Sequence, residues 1–316
     1  MDLLFWLRKF RMFKVQVNIP DKEIQRIYYR INDFIKSKSY SCRNLINIYF
    51  DYCHMNQLTD SVAQEILNEI RQDSKILTTF SCIQIIQGVS YKTYFNMRDS
   101  QLLNQIIRVI PTFEQDFDIE QKSTIFKHLS KMELNFSPPR FSVPNVIYKL
   151  KDQLKDKIEQ LGEMAVNNII EAYESLPKEF PVDLLEEIKE MMCVTIQHNP
   201  KVISSNFLLG IYESFANLKT KKRRIAEQKL VILEKELLQR IKDGDPDLNR
   251  MKSLEIMLEI YQKTGKNEEG LKTIYEAFGK AKAKDNNSRF PGFYGIEIFA
   301  KNNMDVRNFI DEVKLI

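Results

Sequence analysis

The sequence predicts an all-α protein, an α-solenoid of about six two-helix repeats with capping helices at its N- and C-terminal ends. One apolar pattern, with residues at offsets 0, 1, 3, 4 and 7, recurs along the chain and marks one face of a 3.6-residue helix. Each copy is followed by a second stretch of helical apolar periodicity, at 61–72, 99–110, 144–161, 182–197, 223–242 and 270–283. Strand signals are nearly absent, and only nine glycines occur. A single copy of the pattern fits any amphipathic helix. The fixed alternation of first and second helices, recurring every roughly 35 to 50 residues, is what points to stacked repeats.

The pattern is clearest in the hairpin Val166–Gln197, where Ile169, Ile170, Ala172, Tyr173 and Leu176 form the first helix's apolar face. Pro177 and Pro181 bracket the turn, because fixed φ and missing N–H donors stop one helix and start the next. The same five slots hold Leu45, Ile46, Ile48, Tyr49 and Tyr52, then Cys82, Ile83, Ile85, Ile86 and Val89. Ile125, Phe126, His128, Leu129 and Met132 come next, with a histidine in an otherwise apolar slot. Leu208, Leu209, Ile211, Tyr212 and Phe215 follow, then Met257, Leu258, Ile260 and Tyr261, where Thr264 weakens the fifth slot.

Taken in order, residues 1–20 form an amphipathic segment that sets Leu3, Trp6, Phe10 and Phe13 beside Arg8, Lys9, Arg11 and Lys14. It is too short to span a bilayer. Its basic, acid-poor character fits a mitochondrial targeting segment, and its aromatic ridge fits a retained docking or interfacial anchor at Leu3, Trp6, Arg8, Phe10, Arg11 and Phe13. The alternative is a first helix that caps the array. Residues 21–135 are read as N-terminal repeats, with Asp21 capping the first helix. Pro138, Pro139 and Pro144 make 136–143 the expected break between two sub-arrays. Residues 144–284 are the C-terminal repeats, opening with a long charged helix, YKLKDQLKDKIEQLGEM, and 285–316 are a polar linker and capping helix.

In the last hairpin, Leu258, Tyr261, Gly265, Asn267, Glu268, Glu269, Gly270, Leu271 and Tyr275 resemble a tetratricopeptide or pentatricopeptide unit over about 30 residues. Gly270 holds the slot where those families usually place alanine. The other units, longer and irregular in spacing, are similar to the degenerate repeats of organellar RNA-associated helical proteins. The resemblance implies an α-solenoid that binds protein or RNA, and it carries over no base-reading residues.

Catalytic chemistry does not stand out. No phosphate-binding loop, dinucleotide fingerprint or HExxH motif occurs. Asp243, Asp245 and Asp247 begin like a calcium loop, but Leu248 and Leu254 occupy the glycine and glutamate positions, so a helix-to-helix turn is expected. Cys42, Cys53, His54, Cys193 and His198 lack zinc-site spacing, and the four cysteines read as reduced thiols on apolar faces. His128 is expected to be a satisfied core histidine. No enzyme activity, metal or cofactor is expected.

The chain's formal net charge is +4. Its sharpest charge feature is Lys219, Lys221, Lys222, Arg223 and Arg224, a candidate phosphate-contacting patch for RNA or anionic lipid headgroups. Equally, it reads as a solvated loop neutralised by Glu227 and Glu234. Offset 2 of the first helices carries Asn47, Gln84, Lys127, Glu171, Gly210 and Glu259, and offset 5 adds Phe50, Gln87, Ser130, Glu174, Glu213 and Gln262. A surface that tracks phosphates would be repeatedly basic, and this ridge is neutral to acidic. The expected function is therefore a non-enzymatic scaffold subunit of a large mitochondrial assembly, a respiratory or ATP-synthase complex or the mitochondrial ribosome, at the matrix or matrix face of the inner membrane. Other protein subunits are the expected partners, and a free-standing organellar RNA-binding repeat protein is the alternative.

Overall fold

The structure is a computed structural model. It describes residues 40–54, 59–73, 76–92, 96–110, 116–133, 143–177, 179–220, 227–264 and 268–284, together with residues 26, 29, 30, 33 and 37. Twelve α-helices and no strand are found among them. They are α1 (Cys42–His54), α2 (Asp60–Gln72), α3 (Thr79–Ser90), α4 (Met97–Val109), α5 (Ile119–Glu133), α6 (Val143–Lys155), α7 (Glu163–Ser175), α8 (Asp183–His198), α9 (Ser205–Thr220), α10 (Glu227–Lys242), α11 (Met251–Thr264) and α12 (Glu268–Lys284).

The chain divides into two compact units, 1–180 and 181–316. In the first, α1 packs on α3, α3 on α5 and α5 on α7, while α2 packs on α4. The hairpin pairs α1–α2, α3–α4 and α5–α6 join the two sets. In the second unit α8 packs on α10, α10 on α12 and α9 on α11, joined by the pairs α9–α10 and α11–α12. Most helices thus meet a hairpin partner and a next-but-one neighbour, whereas α6 packs chiefly on α5. This follows from the recurring pattern, because a hairpin with apolar residues on two sides must cover both.

All the pattern positions whose burial is described are buried, from Leu45 to Tyr261. The large side chains at the centre are tyrosines. Tyr49, Tyr173, Tyr212 and Tyr261, each at offset 4 of its first helix, are at most 2% exposed. A phenol at that slot fills the space between helices with its ring, and it must then find an acceptor for its hydroxyl.

Helix ends follow local chemistry. Asn96 caps α4 in a reciprocal box, its side chain accepting from the Asp99 amide at 2.7 Å while the Asp99 carboxylate accepts from the Asn96 amide at 3.3 Å. Gly244, at φ 81°, ends α10: its amide donates to Ile241 O and that of Asp245 to Arg240 O, the paired bonds of a left-handed C-terminal cap. Two expectations shift. The long charged helix after Val143 stops at Lys155 and turns at Asp156–Lys157, so that α7 begins at Glu163 and runs along α5. Its apolar periodicity continues through Leu154 and Ile158, which hid the turn in sequence. The compact units divide between Phe180 and Pro181. Of the expected 136–143 break, residues 136–142 lie outside the described residues and Val143 opens α6, which packs on α5.

Phe180 explains the position of the division. It is 5% exposed, with its ring centroid 4.9 Å from that of Tyr148, 5.7 Å from Tyr173 and 6.4 Å from Phe126. The hairpin turn is therefore tacked down on the first unit up to Phe180, and Pro181 opens the second.

Candidate interaction surface

Three polar clasps lie inside the helix layers. In the first unit, the Asp99 carboxylate accepts from Tyr49 Oη at 2.7 Å, from Thr59 Oγ1 at 2.7 Å and from Lys92 Nζ. Lys92 also donates to Thr59 Oγ1, which accepts from Asn96 Nδ2 at 3.1 Å. The Asp99 and Lys92 side chains are 0% and 4% exposed. A buried charge pair is tolerated when hydrogen bonds satisfy it, as here. The cluster ties α1 and Thr59, the N-cap of α2, to the start of α4. Burial, with Cys53 and Asp99 nearby, pushes the Tyr49 phenol well above its ordinary pKa, so it remains a donor.

In the second unit Tyr261 Oη donates to Glu234 Oε1 at 2.5 Å, and the Tyr212 hydroxyl bonds the same carboxylate. Burial and this acid push both phenols up. Glu234, expected to neutralise the basic run, is instead buried and engaged by tyrosines. Beside it, a Cβ placed on Gly270 would stand 2.3 Å from Tyr261 Oη. Glycine suits this position because the tyrosine that reaches Glu234 fills the space a methyl would need. A groove of about 470 Å³ between α10 and α12 lies over this point, lined in part by Val231, Leu238, Lys242 and Glu269.

The third clasp is Arg240, which donates to Pro200 O, to Ile203 O at 2.9 Å and to Ser205 Oγ at 2.9 Å. Asp245 accepts from Ser205 Oγ at 2.7 Å and from the amides of Asp247 and Leu248. Burial works against the Asp245 carboxylate, but these bonds and nearby Arg240 hold it below the ordinary range. The acids of 243–247 thus serve a turn: Asp245 faces amides, and Asp247 pairs with Arg250 at 2.9 Å.

Groups that resemble catalytic pairs have other partners. Ser90 Oγ donates its single proton to Gln87 O at 2.7 Å, so the contact of 2.6 Å with His128 Nδ1 runs from imidazole to hydroxyl. That is the reverse of a base activating a nucleophile. Burial, with Lys127, Lys131 and His54 nearby, lowers the His128 pKa to about 3 and keeps the ring neutral. All four cysteines are free, and burial raises every thiol, Cys42 to about 11 and Cys82 to about 12. Among the described residues no group of three or more His, Cys, Asp and Glu side chains is placed to hold a metal. No described helix is long and apolar enough to cross a membrane.

The outer ridge of first helices is partly a seam. Gln84 Nε2 donates to Asn47 Oδ1 at 3.1 Å between α3 and α1. Lys127 Nζ donates to Asn168 Oδ1 at 3.2 Å and to Glu171 Oε1 at 2.9 Å between α5 and α7. Residues read as a free surface at offset 2 therefore pair with one another, and Ser130 at offset 5 is buried, bonded to Phe126 O. An aromatic row runs from the surface inward: partly exposed Phe50 meets His54 edge-on at 4.6 Å, exposed His54 lies 3.9 Å from exposed Tyr91 just after α3, and Tyr91 meets buried His128 of α5 at 5.6 Å.

Of the residues marked in sequence, Leu3, Trp6, Arg8, Phe10, Arg11 and Phe13 lie outside the described residues, as do Lys221, Lys222, Arg223 and Arg224. Lys219 falls in the last turn of α9. The structure brings none of them into a described site. Sequence reasoning missed Asp99, whose one local signal is the Asn96-x-x-Asp99 capping spacing. Comparison of the chain with protein-family models, with curated proteins and with solved structures finds no match.

Proposed function

We propose that this chain is a non-enzymatic α-solenoid, built of degenerate tetratricopeptide-like hairpins, that acts as a scaffold subunit in a large protein assembly. The observation that carries the proposal is how the polar groups of the interior are used. Asp99, Lys92, Glu234 and Arg240 join helices to one another, each engaged by groups of its own chain, and elsewhere burial keeps His128 and the thiols neutral. Such an interior positions surfaces and does not turn over a substrate. The surface favours protein, because the first-helix ridge is neutral to acidic, with Lys127 and Lys131 paired to Glu171, and lacks the repeated cations that phosphate tracking requires. The amphipathic 1–20 segment supports a mitochondrial compartment, with a respiratory complex, ATP synthase or mitochondrial ribosome as the assembly.

The test is recovery of the tagged full chain from its own cells with and without ribonuclease. Stoichiometric protein partners that survive ribonuclease are expected. A chain that recovers alone, or whose partners all depend on RNA, would overturn the scaffold in favour of the RNA-binding alternative. Mitochondrial residence that is lost when Arg8 and Arg11 are replaced is the expected companion result, and cytosolic residence of the unaltered chain would contradict the compartment.

A further inference from the structure

The seams between first helices are not all filled in the same way. Offset 2 of α1 meets offset 2 of α3 through Asn47 and Gln84, and offset 2 of α5 meets offset 2 of α7 through Lys127 and Glu171. Lys131, at offset 6 of α5, reaches the same Glu171 carboxylate at 3.4 Å. The helices α9 and α11 pack together as α5 and α7 do, and offset 2 of α11 again holds an acid, Glu259. On α9, however, offsets 2 and 6 hold Gly210 and Ser214 where α5 has its two lysines. The acid is present and its cations are missing.

Two further observations mark the same seam. Glycine weakens a helix relative to alanine, yet Gly210 lies within α9 and a Cβ built on it would meet nothing within 4 Å. Gly88 and Gly270 differ, since a Cβ there would stand 3.4 Å from Phe50 Cα and 2.3 Å from Tyr261 Oη. The chain's own packing thus explains those glycines and not Gly210, which leaves an open slot. Glu259 is also exposed, and no hydrogen bond or ion pair within the chain engages it, Glu255 one turn before it, or Glu213 on α9. Among the described residues of the two stripes, 206, 210, 213 and 214 with 252, 255, 256 and 259, Lys252 is the single cation.

Three carboxylates over two helices repel phosphate, so a nucleic acid does not suit this seam. Nor are they gathered around a metal, because no group of three described His, Cys, Asp or Glu side chains is placed to hold one. A long cationic side chain does suit it. Its methylene stem can lie over Gly210 and partly exposed Ile256 while its head reaches Glu259, as Lys127 reaches Glu171.

We propose that the α9–α11 seam docks a lysine- or arginine-bearing segment of a partner protein, whose cations take the places that Lys127 and Lys131 hold in the α5–α7 seam. The proposal rests on the scaffold reading and assigns that scaffold a binding surface.

The test pans the full chain against a displayed library of random peptides and measures the selected peptides by anisotropy at physiological salt. Selected peptides should be rich in lysine and arginine. Glu255→Gln with Glu259→Gln should weaken them roughly fivefold or more, while Glu276→Gln, which removes an exposed acid of α12, should leave affinity unchanged. Gly210→Lys should fill the seam from within, abolishing peptide binding while the melting temperature holds or rises. Enrichment of uncharged or acidic peptides, indifference to loss of both acids, or wild-type peptide binding by Gly210→Lys would each overturn the proposal. So would self-association of the wild-type chain that Gly210→Lys removes, because the occupant would then be a second copy. If Gly210→Lys still enters the assembly recovered from cells, this seam falls and the scaffold stands. If no protein assembly is recovered at all, both fall.

Discussion

The hydroxyl of Tyr49 donates to the carboxylate of Asp99 at 2.7 Å, joining α1 to α4 across fifty residues of sequence. Tyr261 and Glu234 repeat the relationship in the second unit. In both, a phenol at offset 4 of a first helix reaches an acid on a second helix. The acid is buried, so the bond forms where water cannot compete for it.

Removal of the acid should be costly. Asp99→Ala leaves the Lys92 ammonium buried without its counter-charge and strips an acceptor from Tyr49 and Thr59. The expected loss is roughly 3–5 kcal/mol, read by chemical denaturation. Replacing the pair together, Asp99→Leu with Lys92→Met, should recover much of it. Equal destabilisation by the single and the double change would show that the ion pair is not the operative contact.

Gly270→Ala should destabilise even though alanine is the better helix former by about 1 kcal/mol. The new methyl would meet Tyr261 at 2.3 Å, and overpacking costs roughly 1–3 kcal/mol. Combined with Tyr261→Phe, the penalty should shrink, since the atom closest to the methyl is gone. A double-mutant cycle measures this, and strict additivity would contradict the contact.

His128 gives the fold an acid limit. Its pKa falls from 6.5 to about 3 on folding, so the unfolded chain takes up the proton first. The contribution of the neutral ring is complete above about 6.5 and is lost as pH falls toward about 3. His128→Gln can still donate to Ser90 and does not titrate. The difference in melting temperature between wild type and variant should therefore narrow or reverse as pH drops through this window. A constant difference would place the acid sensitivity elsewhere.

The recurring pattern was legible because it is local: offsets 0, 1, 3, 4 and 7 choose a helix face, and every described position of that face is buried. Ile170, 1% exposed, is an example, and Ile170→Asp should cost several kcal/mol by placing a charge in the seam between helices. The clasps were not legible in the same way. Lys92 precedes Asp99 by seven residues, but Tyr49 and Thr59 reach it only once the hairpins stack. The division at Phe180 was masked by the louder prolines at 138, 139 and 144, because nothing local shows that Phe180 sits among Tyr148, Tyr173 and Phe126. Offset-2 residues such as Asn47 and Gln84 read as a surface because a sequence shows which side chains are polar and not which of them meet.

The central claim is that this chain presents surfaces to protein and does not read RNA. Titration of a labelled single-stranded RNA with the purified full chain over a salt series tests it most directly. The account predicts no saturable binding at physiological salt. A tight, sequence-preferring complex whose steep salt dependence flattens when Lys221, Lys222, Arg223 and Arg224 are neutralised together would contradict it.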